Sequence, residues 1–234
     1  MGTQTLQTKL HPRQSLSEQV YERIREAIVT LAFEPGQLIY ENQLAESLSV
    51  SRTPVREAIR SLVNECLLEV LPQRGTRVAY ISVKKVLEAR FIRSLLEQGA
   101  FRIAAAEWSA EKKTVSNKAI QRMLEEQREA AADGDITVFL QLDEAFHRVI
   151  MEEAGNATLL NVVYQMRGHL NRLRYMALRQ YRHMPQIVEE HERLFEAIAA
   201  NDSELAGRLL ELHFGKLNDE MSELRALTPH YFID

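Results

Sequence analysis

From about Val83 onward the sequence carries no strand signal, and its apolar residues recur at helical spacing. Four short breaks interrupt this pattern, at Asp133-Gly134, Gly155-Asn156, Met184-Pro185 and Asn201-Asp202. Together with a gap between 108 and 114, they divide it into six predicted helices, at 84–108, 114–132, 135–154, 157–181, 184–200 and 202–226. Because helices joined by short connections lie side by side, the pattern predicts an all-α six-helix bundle. The nine glycines and six prolines in 234 residues fit such a mainly α fold.

The part of the chain before this region combines helical and strand patterns. A capping box formed by Ser15 and Glu18 predicts the start of a first helix. The stretch "ENQLAESL" predicts a short second helix, and a third helix is expected over 52–67. Two β-type runs, "LEVLP" and "TRVAYI", flank "QRG" and predict a hairpin with Gly75 at its turn. Three helices followed by a two-stranded wing indicate a winged helix-turn-helix.

The stretch "VSRTPVREAIRSL" predicts how the third helix begins and which way it faces. Pro54 is tolerated in the first turn, where its missing N–H would have no partner in any case. A side chain, from Ser51 or Thr53, is expected to cap the free N–H groups. The helix has an apolar face that packs inward and an arginine face that points outward. The inward members are Val55, Ala58, Ile59 and Leu62, and the outward members are Arg52, Arg56 and Arg60.

An outward arginine face on the second helix of a helix-turn-helix fits the DNA major groove, where arginine can read guanine. Residues 51–77 contain five arginines and three glutamates although the whole chain carries a net charge of −4, so the basic character is local. The predicted wing would place Arg74 at the minor groove or its phosphates, and Gly75 permits close backbone approach. The alternative is a solvated charged face in which Arg60 pairs with nearby glutamates.

One aspartate and three histidines form a second pattern in the helical region. Asp143 and His147 are four residues apart in "DEAFHRVI", so they share one helix face. His191 and His213 each lie among apolar neighbours on another predicted helix, and a bundle can bring all four together. Three imidazoles and one carboxylate suit a divalent ion such as zinc, nickel or manganese. Spacing alone leaves ordinary core histidines, and a simple Asp143–His147 hydrogen bond, open as the alternative.

The first part of the chain resembles the winged helix-turn-helix of the GntR family of bacterial transcription regulators. The resemblance covers residues 14–81, and "SRTPVREAIRSL" and "QRGTRV" are its most recognisable segments. It implies that Arg52, Thr53 and Arg56 contact a double-stranded DNA operator from the recognition helix. It also implies that the wing around Gly75 enters the minor groove.

The helical region resembles the FCD effector domain of the FadR subfamily of these regulators, over about 84–226. The segments that carry this resemblance are "EARFIRSLLEQGAFRIAAA", "DEAFHRVIMEEAGN", "EEHERLFEAIAANDSELA" and "LELHFGKL". Six helices match the shorter, VanR-like branch of that group. The residues that the resemblance implies as ligands of a divalent metal ion, zinc foremost, are Asp143, His147, His191 and His213.

Arg93 occupies the position of an arginine that points into the effector cavity in these relatives. An arginine fork beside a metal ion suits a carboxylate, so the resemblance implies a small carboxylate effector. The alternative is a surface pair between Arg93 and Glu97, which lies four residues further along.

These expectations divide the chain into four parts: a flexible tail (1–13), a DNA-binding winged helix-turn-helix (14–81), an all-helical domain for effector binding and dimerisation (82–228) and a C-terminal tail (229–234). The function expected is that of a ligand-responsive, metal-containing repressor, which binds a palindromic operator as a homodimer. The alternative is a metal-dependent hydrolase fused to a DNA-binding module. The sequence contains no H-E-x-x-H, G-x-S-x-G or Walker motif, so enzymatic activity is not expected.

The single cysteine, Cys66, excludes an internal disulfide and favours a reducing compartment. Its expected place is that of a small buried residue on a helix. No apolar run approaches the ~18 residues needed to span a membrane, and the N-terminal "MGTQTLQTKLHPRQ" lacks the apolar core of a signal peptide. The expected location is the cytoplasm.

Overall fold

The computed structural model describes residues 15–108, 110–215 and 217–234, without the side chains of 110–113, 218 and 219. These residues form two compact units. The N-terminal unit contains the chain up to Val86 together with Gln165–Arg172 and Thr228–Asp234, and the helical unit contains Leu87–Tyr164 and Leu173–Leu227. The tail predicted for 1–13 lies outside the described residues.

Three helices and a small sheet make up most of the N-terminal unit. In chain order they are α1 (Leu16–Val29), β1 (Leu38–Ile39), α2 (Glu41–Ser47), α3 (Arg52–Asn64), β2 (Leu68–Leu71) and β3 (Gly75–Val78). Strands β2 and β3 form the predicted antiparallel hairpin, and β3 also pairs with β1. The winged helix-turn-helix is therefore confirmed. The pairing of β1 was not predicted, because two residues are too short for a period-two pattern to show.

Helix α1 begins at the predicted capping box. The Ser15 hydroxyl accepts a hydrogen bond from the Glu18 backbone, and the Glu18 carboxylate accepts one from the Ser15 backbone. Ile24 of α1 shares one apolar core with Val55 and Leu62 of α3, and burying each such side chain contributes about 1.5–3 kcal/mol. Because this core fixes one face of α3, the opposite face is left to solvent.

Two local predictions in this unit are wrong. Ser51 is the N-cap residue of α3, but its side chain makes no capping hydrogen bond. The start of α3 then relies on Pro54, whose ring presets a helical φ. Cys66 is exposed rather than buried on a helix. Because α3 already ends at Asn64, Cys66 falls in the following turn and adopts a left-handed φ of 57°.

The helical unit is built from long helices, as predicted, and the first and fourth of them also have residues in the N-terminal unit. Their bounds are α4 (Val83–Ala106), α5 (Ala110–Asp133), α6 (Ile136–Glu153), α7 (Ala157–Tyr181), α8 (Met184–Ala199), α9 (Ser203–Gly215) and α10 (Leu217–Leu227). The predicted sixth helix, 202–226, corresponds to α9 and α10, on either side of residue 216. The core contains Phe101, Phe146, Leu194 and Leu210. Across the described ranges, no helix combines the length and apolarity that crossing a lipid bilayer requires.

The C-terminal residues 229–234 are not the tail that the sequence analysis predicted. A 3-10 helix, Pro229–Tyr231, leads into β5 (Phe232–Ile233), which pairs in parallel with β4 (Ile81–Ser82). The Ser82 hydroxyl also donates a hydrogen bond of 3.0 Å to Asp234 Oδ2. These residues therefore belong to the N-terminal unit. A pair of two-residue strands so far apart in sequence leaves no local pattern to detect.

Candidate nucleic-acid interface and metal centre

The outward face of α3 carries the three helix residues predicted to contact DNA. Arg52, Thr53 and Arg56 are all exposed, and so is Arg60 one turn further on. The side chains of Arg52 and Arg56 are 55% and 52% exposed, so both guanidinium groups remain accessible. The structure thus gathers the predicted residues at the N-terminal half of one exposed helix face, the half from which a recognition helix reaches base edges.

Glu41, at the start of α2, lies against these arginines. Its Oε2 accepts a hydrogen bond of 2.7 Å from Arg56 Nε and one of 3.4 Å from Arg52 Nη2. The hydrogen bond from Arg56 lowers the pKa of Glu41 below its usual value, so the carboxylate is charged at neutral pH. Glu41 aligns the two guanidinium groups and cancels part of their charge. Sequence reasoning missed it, because a glutamate that starts another helix gives no sign of its partner.

Replacing this carboxylate is expected to strengthen DNA binding without sequence preference. In Glu41→Gln the positive charges of both arginines are no longer partly neutralised and can attract phosphate. The affinity for DNA should therefore rise about threefold or more on all sequences, with a steeper salt dependence. Binding of labelled random-sequence duplexes at several salt concentrations measures this effect. Glu46→Gln, at an exposed position of the same helix, is the matched control. If only the preferred sequence lost affinity in Glu41→Gln, Glu41 would instead orient Arg56 for base reading.

The wing places Arg74 and Gly75 at an exposed corner. Both are exposed, and Gly75 is the first residue of β3 rather than part of the turn itself. Its φ of 98° lies in the region that favours glycine. A Cβ there would also lie 3.2 Å from the ring of Tyr40. Gly75 is therefore required by the backbone of the wing, and Arg74 stands beside it in solvent.

The helical unit brings together the four side chains that the sequence singled out as metal ligands. Asp143 and His147 come from α6, His191 from α8 and His213 from α9. One potential ligand atom from each side chain lies within 4.8 Å of those of the other three. Asp143, His147 and His191 are buried, whereas His213 is partly exposed. We refer to these four residues as the histidine cluster.

Each histidine of the cluster is oriented by a hydrogen bond at Nδ1. His147 Nδ1 lies 2.7 Å from Glu97 Oε2, and His213 Nδ1 lies 2.7 Å from Glu190 Oε2. Since an ionised carboxylate can only accept, both Nδ1 atoms carry the hydrogen.

The ring of His191 has the same tautomer, which is fixed by the side-chain amide of Gln127. His191 Nδ1 lies 2.8 Å from Gln127 Oε1, and the Gln127 amide nitrogen donates to the Leu142 carbonyl. Because that carbonyl only accepts, the amide oxygen faces the ring and the hydrogen sits on Nδ1 of His191. In all three rings the lone pair is consequently on Nε2.

The inward-facing atoms of the cluster are buried and have no hydrogen-bond partner among the described residues: Asp143 Oδ1, His147 Nε2 and His191 Nε2. Burial lowers the pKa of His147 and of His191, so both rings are neutral. Burial alone would raise the pKa of Asp143, but the charge of Arg174 outweighs it and keeps that pKa well below its usual range. Each unpaired buried atom costs about 1–3 kcal/mol. The arrangement is therefore chemically suited to hold a cation.

Arg93 and Glu97 form an ion pair, but not the surface pair considered as the alternative. Arg93 Nε donates to Glu97 Oε1, and the two side chains are only 11% and 0% exposed. Burial would raise the pKa of Glu97, but Arg93 and His147 together hold it at about 2. The guanidinium of Arg93 also lies over the ring of Phe214, 4.6 Å from its centre. Arg93 therefore contacts Glu97, and Glu97 in turn accepts the hydrogen bond from His147.

Arg174 and Arg172 lie on the same helix and have different partners. Arg174 Nη2 is 2.5 Å from Asp143 Oδ2, so Arg174 adjoins the histidine cluster, a position that the sequence could not assign. Arg172 is fully buried in the N-terminal unit. It donates hydrogen bonds to the carbonyl of Ala79 and to His169 Nδ1. These hydrogen bonds of Arg172 therefore lie within the N-terminal unit.

Comparison with known proteins matches both halves of the chain. Residues 16–78 match the family described as "Bacterial regulatory proteins, gntR family", and residues 88–216 match the family described as "FCD domain". The chain belongs to the GntR family. It is 32% identical over 213 residues to an uncharacterised HTH-type transcriptional regulator of Streptomyces ambofaciens, covering 91% of this chain and 88% of that protein.

Two further proteins match this chain over most of their length. The HTH-type transcriptional repressor RspR of Escherichia coli is 27% identical, covering 98% of this chain and 99% of that protein. Escherichia coli McbR/YncC has the same fold, with a TM-score of 0.75 at 23% identity, covering 92% of this chain and 99% of that chain. This GntR protein is thus a DNA-binding transcription regulator with an FCD effector domain. Proteins of this class are generally not enzymes, which favours regulation over the hydrolase alternative.

Proposed function

We propose that this GntR regulator is a homodimeric repressor whose helical domain holds a divalent metal ion and senses a small carboxylate. The metal ligands would be Asp143, His147, His191 and His213. The winged helix-turn-helix, 14–81, would bind a palindromic operator, and the helical domain, 82–228, would bind the effector and dimerise. RspR of Escherichia coli is a transcriptional repressor, which supports repressor function for this chain.

The observation that carries the metal proposal is the direction of the three imidazoles. Each ring gives its Nδ1 hydrogen to an outer acceptor, so each Nε2 lone pair is available for a ligand. Metal-binding histidines characteristically donate their second nitrogen to such an acceptor, which fixes the tautomer and the ring orientation. Imidazole and carboxylate ligands suit zinc best, with nickel and manganese as alternatives. When bound, the ion supplies Lewis-acid attraction for an anionic oxygen.

Two arginines beside the cluster support a carboxylate as the effector. Arg174 contacts Asp143 directly, and Arg93 reaches the cluster through Glu97. A guanidinium offers several parallel N–H donors that match the two oxygens of a carboxylate. Arg93 is the residue expected to bind the effector, and Arg174 adds a second donor group on the Asp143 side.

On the DNA side, the proposed contacts follow the exposed face of α3 and the wing. Arg52, Thr53 and Arg56 would contact operator bases or phosphates in the major groove, with Arg74 and Gly75 at the minor groove. The exposure of all five residues supports this assignment. Two such units related by a two-fold axis would read two half-sites about one helical turn, or a multiple of it, apart.

Metal content per chain tests the proposed metal site. Wild type, His213→Ala and His230→Ala are purified without a histidine tag, and elemental analysis counts divalent ions per chain. His230 is an exposed histidine of the N-terminal unit and is not one of the proposed ligands, so its variant is the matched control. We expect about one ion per chain in wild type and in His230→Ala, and little or none in His213→Ala.

His213 is the suitable ligand to remove because it is partly exposed, so the variant should keep its fold. Circular dichroism of all three proteins verifies this. Equal metal content in wild type and His213→Ala would contradict the proposed ligand set. Absence of metal from a folded wild type, even after incubation with zinc, nickel and manganese, would refute the metal site itself.

A further inference from the structure

Tyr40 is an exposed aromatic residue between the recognition helix α3 and the wing. On one side, the next residue in the chain, Glu41, accepts hydrogen bonds from Arg52 and Arg56 of α3. On the other side, one edge of the Tyr40 ring lies against Gly75 of the wing. Ring atoms Cδ1 and Cε1 are 3.3 and 3.2 Å from the position that a Gly75 Cβ would take. Tyr40 is still 44% exposed, so most of its outer edge faces solvent.

The register of the small sheet positions Tyr40 beside the wing. Strands β1 and β3 are antiparallel, with Leu38 opposite Arg77 and Ile39 opposite Thr76. One residue further along, the same register brings Tyr40 opposite Gly75. Backbone pairing therefore fixes where the ring lies, and the missing Cβ of the glycine gives it room. Because a tyrosine side chain has only two torsions, a ring held in this way loses little conformational freedom on binding.

Contacts within the chain account for the ring of Tyr40 but not for its hydroxyl. This hydroxyl forms no hydrogen bond with any residue that the structure describes. Tyr40 is the N-cap residue of α2, yet its side chain makes no capping hydrogen bond. Ser, Thr, Asp and Asn are the usual capping residues, so capping gives no reason for a tyrosine at this position.

We propose that the Tyr40 hydroxyl donates a hydrogen bond to a phosphate oxygen of the DNA strand that separates the major groove from the minor groove. This inference rests on the proposed operator contacts and adds one residue to them. When α3 enters the major groove and the wing enters the adjacent minor groove, the sugar–phosphate backbone between these grooves crosses the surface between the two elements. Tyr40 occupies that surface. Tyrosine hydroxyls are among the groups that contact DNA phosphates.

The charges beside Tyr40 are compatible with a phosphate. The Glu41 carboxylate would repel it, but Glu41 Oε2 is turned towards Arg56 Nε at 2.7 Å and Arg52 Nη2 at 3.4 Å. These three side chains together carry one positive charge, which attracts a phosphate. A phosphate contact carries no sequence information of its own, so the contribution of Tyr40 should be the same on every DNA sequence.

The test compares wild type with Tyr40→Phe, which keeps the ring against Gly75 and removes only the hydroxyl. Affinity is measured on an operator selected from a random-sequence pool and on random-sequence duplexes, at several salt concentrations. We expect Tyr40→Phe to bind both about tenfold more weakly, because a hydrogen bond to a charged group is lost. The salt dependence should stay that of wild type, because a phenol carries no charge and releases no counter-ion from DNA.

Tyr231→Phe is the matched control. Tyr231 belongs to the same unit, and its hydroxyl donates a hydrogen bond of 3.0 Å to Glu34 Oε1, a carboxylate that would repel phosphate. This variant should bind DNA with wild-type affinity. Circular dichroism and the urea midpoint of Tyr40→Phe should match wild type, so that a loss of affinity reflects the DNA contact and not the fold.

Methylphosphonate substitution locates the contacted phosphate. Single phosphates of each operator half-site are replaced in turn by the neutral analogue, and binding of wild type and Tyr40→Phe is compared. At one position per half-site the substitution should weaken wild type more than Tyr40→Phe, and at the other positions it should affect both proteins equally.

Three results would overturn this contact. Wild-type affinity in Tyr40→Phe, with an operator that wild type does bind, would overturn the contact alone and leave the proposed function standing. A loss confined to the selected operator would assign the hydroxyl to a base instead of a phosphate. A folded wild type that bound no duplex at all would overturn the proposed operator binding together with this contact.

Discussion

Removing the metal ion is expected to lower the free energy of unfolding by about 4 kcal/mol, if the free ion had been present at roughly 1,000 times its dissociation constant. The ligand atoms come from α6, α8 and α9. They meet only when these helices are packed, so the binding energy stabilises the folded chain. Without the ion, Asp143 Oδ1 and the Nε2 atoms of His147 and His191 stay buried and have no hydrogen bond from any described residue. Urea unfolding followed by circular dichroism, with and without a chelator, measures the difference.

The same titration on His213→Ala controls for effects of the chelator itself. In that variant the chelator should change the midpoint little, because the ion is already weakly held. A chelator effect of equal size in wild type and His213→Ala would contradict the proposed origin of the stabilisation. So would a wild type that binds one ion per chain yet unfolds at the same urea concentration without it.

Arg56→Ala is expected to weaken operator binding by about 1–3 kcal/mol and to relax specificity at one base pair. Arg56 lies near the start of α3, at an exposed position and held by Glu41. A guanidinium there can donate two hydrogen bonds to guanine, which alanine cannot replace. The operator is first selected from a random-sequence pool with wild-type protein. Affinities for it and for each single-base variant are then compared between wild type and Arg56→Ala.

Arg60→Ala supplies the control on the same helix face. Arg60 is exposed like Arg56 but lies one turn further from the start of α3, so it is expected to contact phosphate at most. Its loss should reduce affinity for all sequences equally and flatten the salt dependence by about one phosphate contact. If Arg56→Ala behaved in the same way, Arg56 would be a phosphate contact and the base-reading assignment would be wrong.

The periodic parts of the fold could be predicted closely from the sequence. The predicted helix 157–181 is α7 to the residue, and the predicted helix 135–154 is one residue longer than α6 at each end. Both have clear polar breaks at their ends, where Asp135 and Asn156 cap the helices. Elements without periodicity could not be predicted. β1 and β5 are two residues each, and their partners lie far away in sequence.

The candidate metal site likewise contains residues that could be predicted from the sequence and residues that could not. The four residues of the histidine cluster were predicted because Asp, His and helical spacing are visible in a sequence. The residues that form hydrogen bonds or ion pairs with the cluster were not predicted. Gln127, Glu190 and Arg174 are ordinary polar residues of helices, and only the packing of one helix against another shows which ring or carboxylate they meet. Glu97 was considered only as a surface partner of Arg93, since spacing shows a pair and not its burial.

The charged side chains around the histidine cluster have a consequence for electroneutrality. Asp143, Glu97 and Glu190 contribute three negative charges, and Arg93 and Arg174 contribute two positive charges. With the imidazoles as neutral ligands, the group carries one negative charge. A divalent ion changes this to one positive charge, which a single carboxylate cancels. In the proposed function, the ion would bind first and a monoanion second, because the ion reverses the sign of the summed charge of these five side chains.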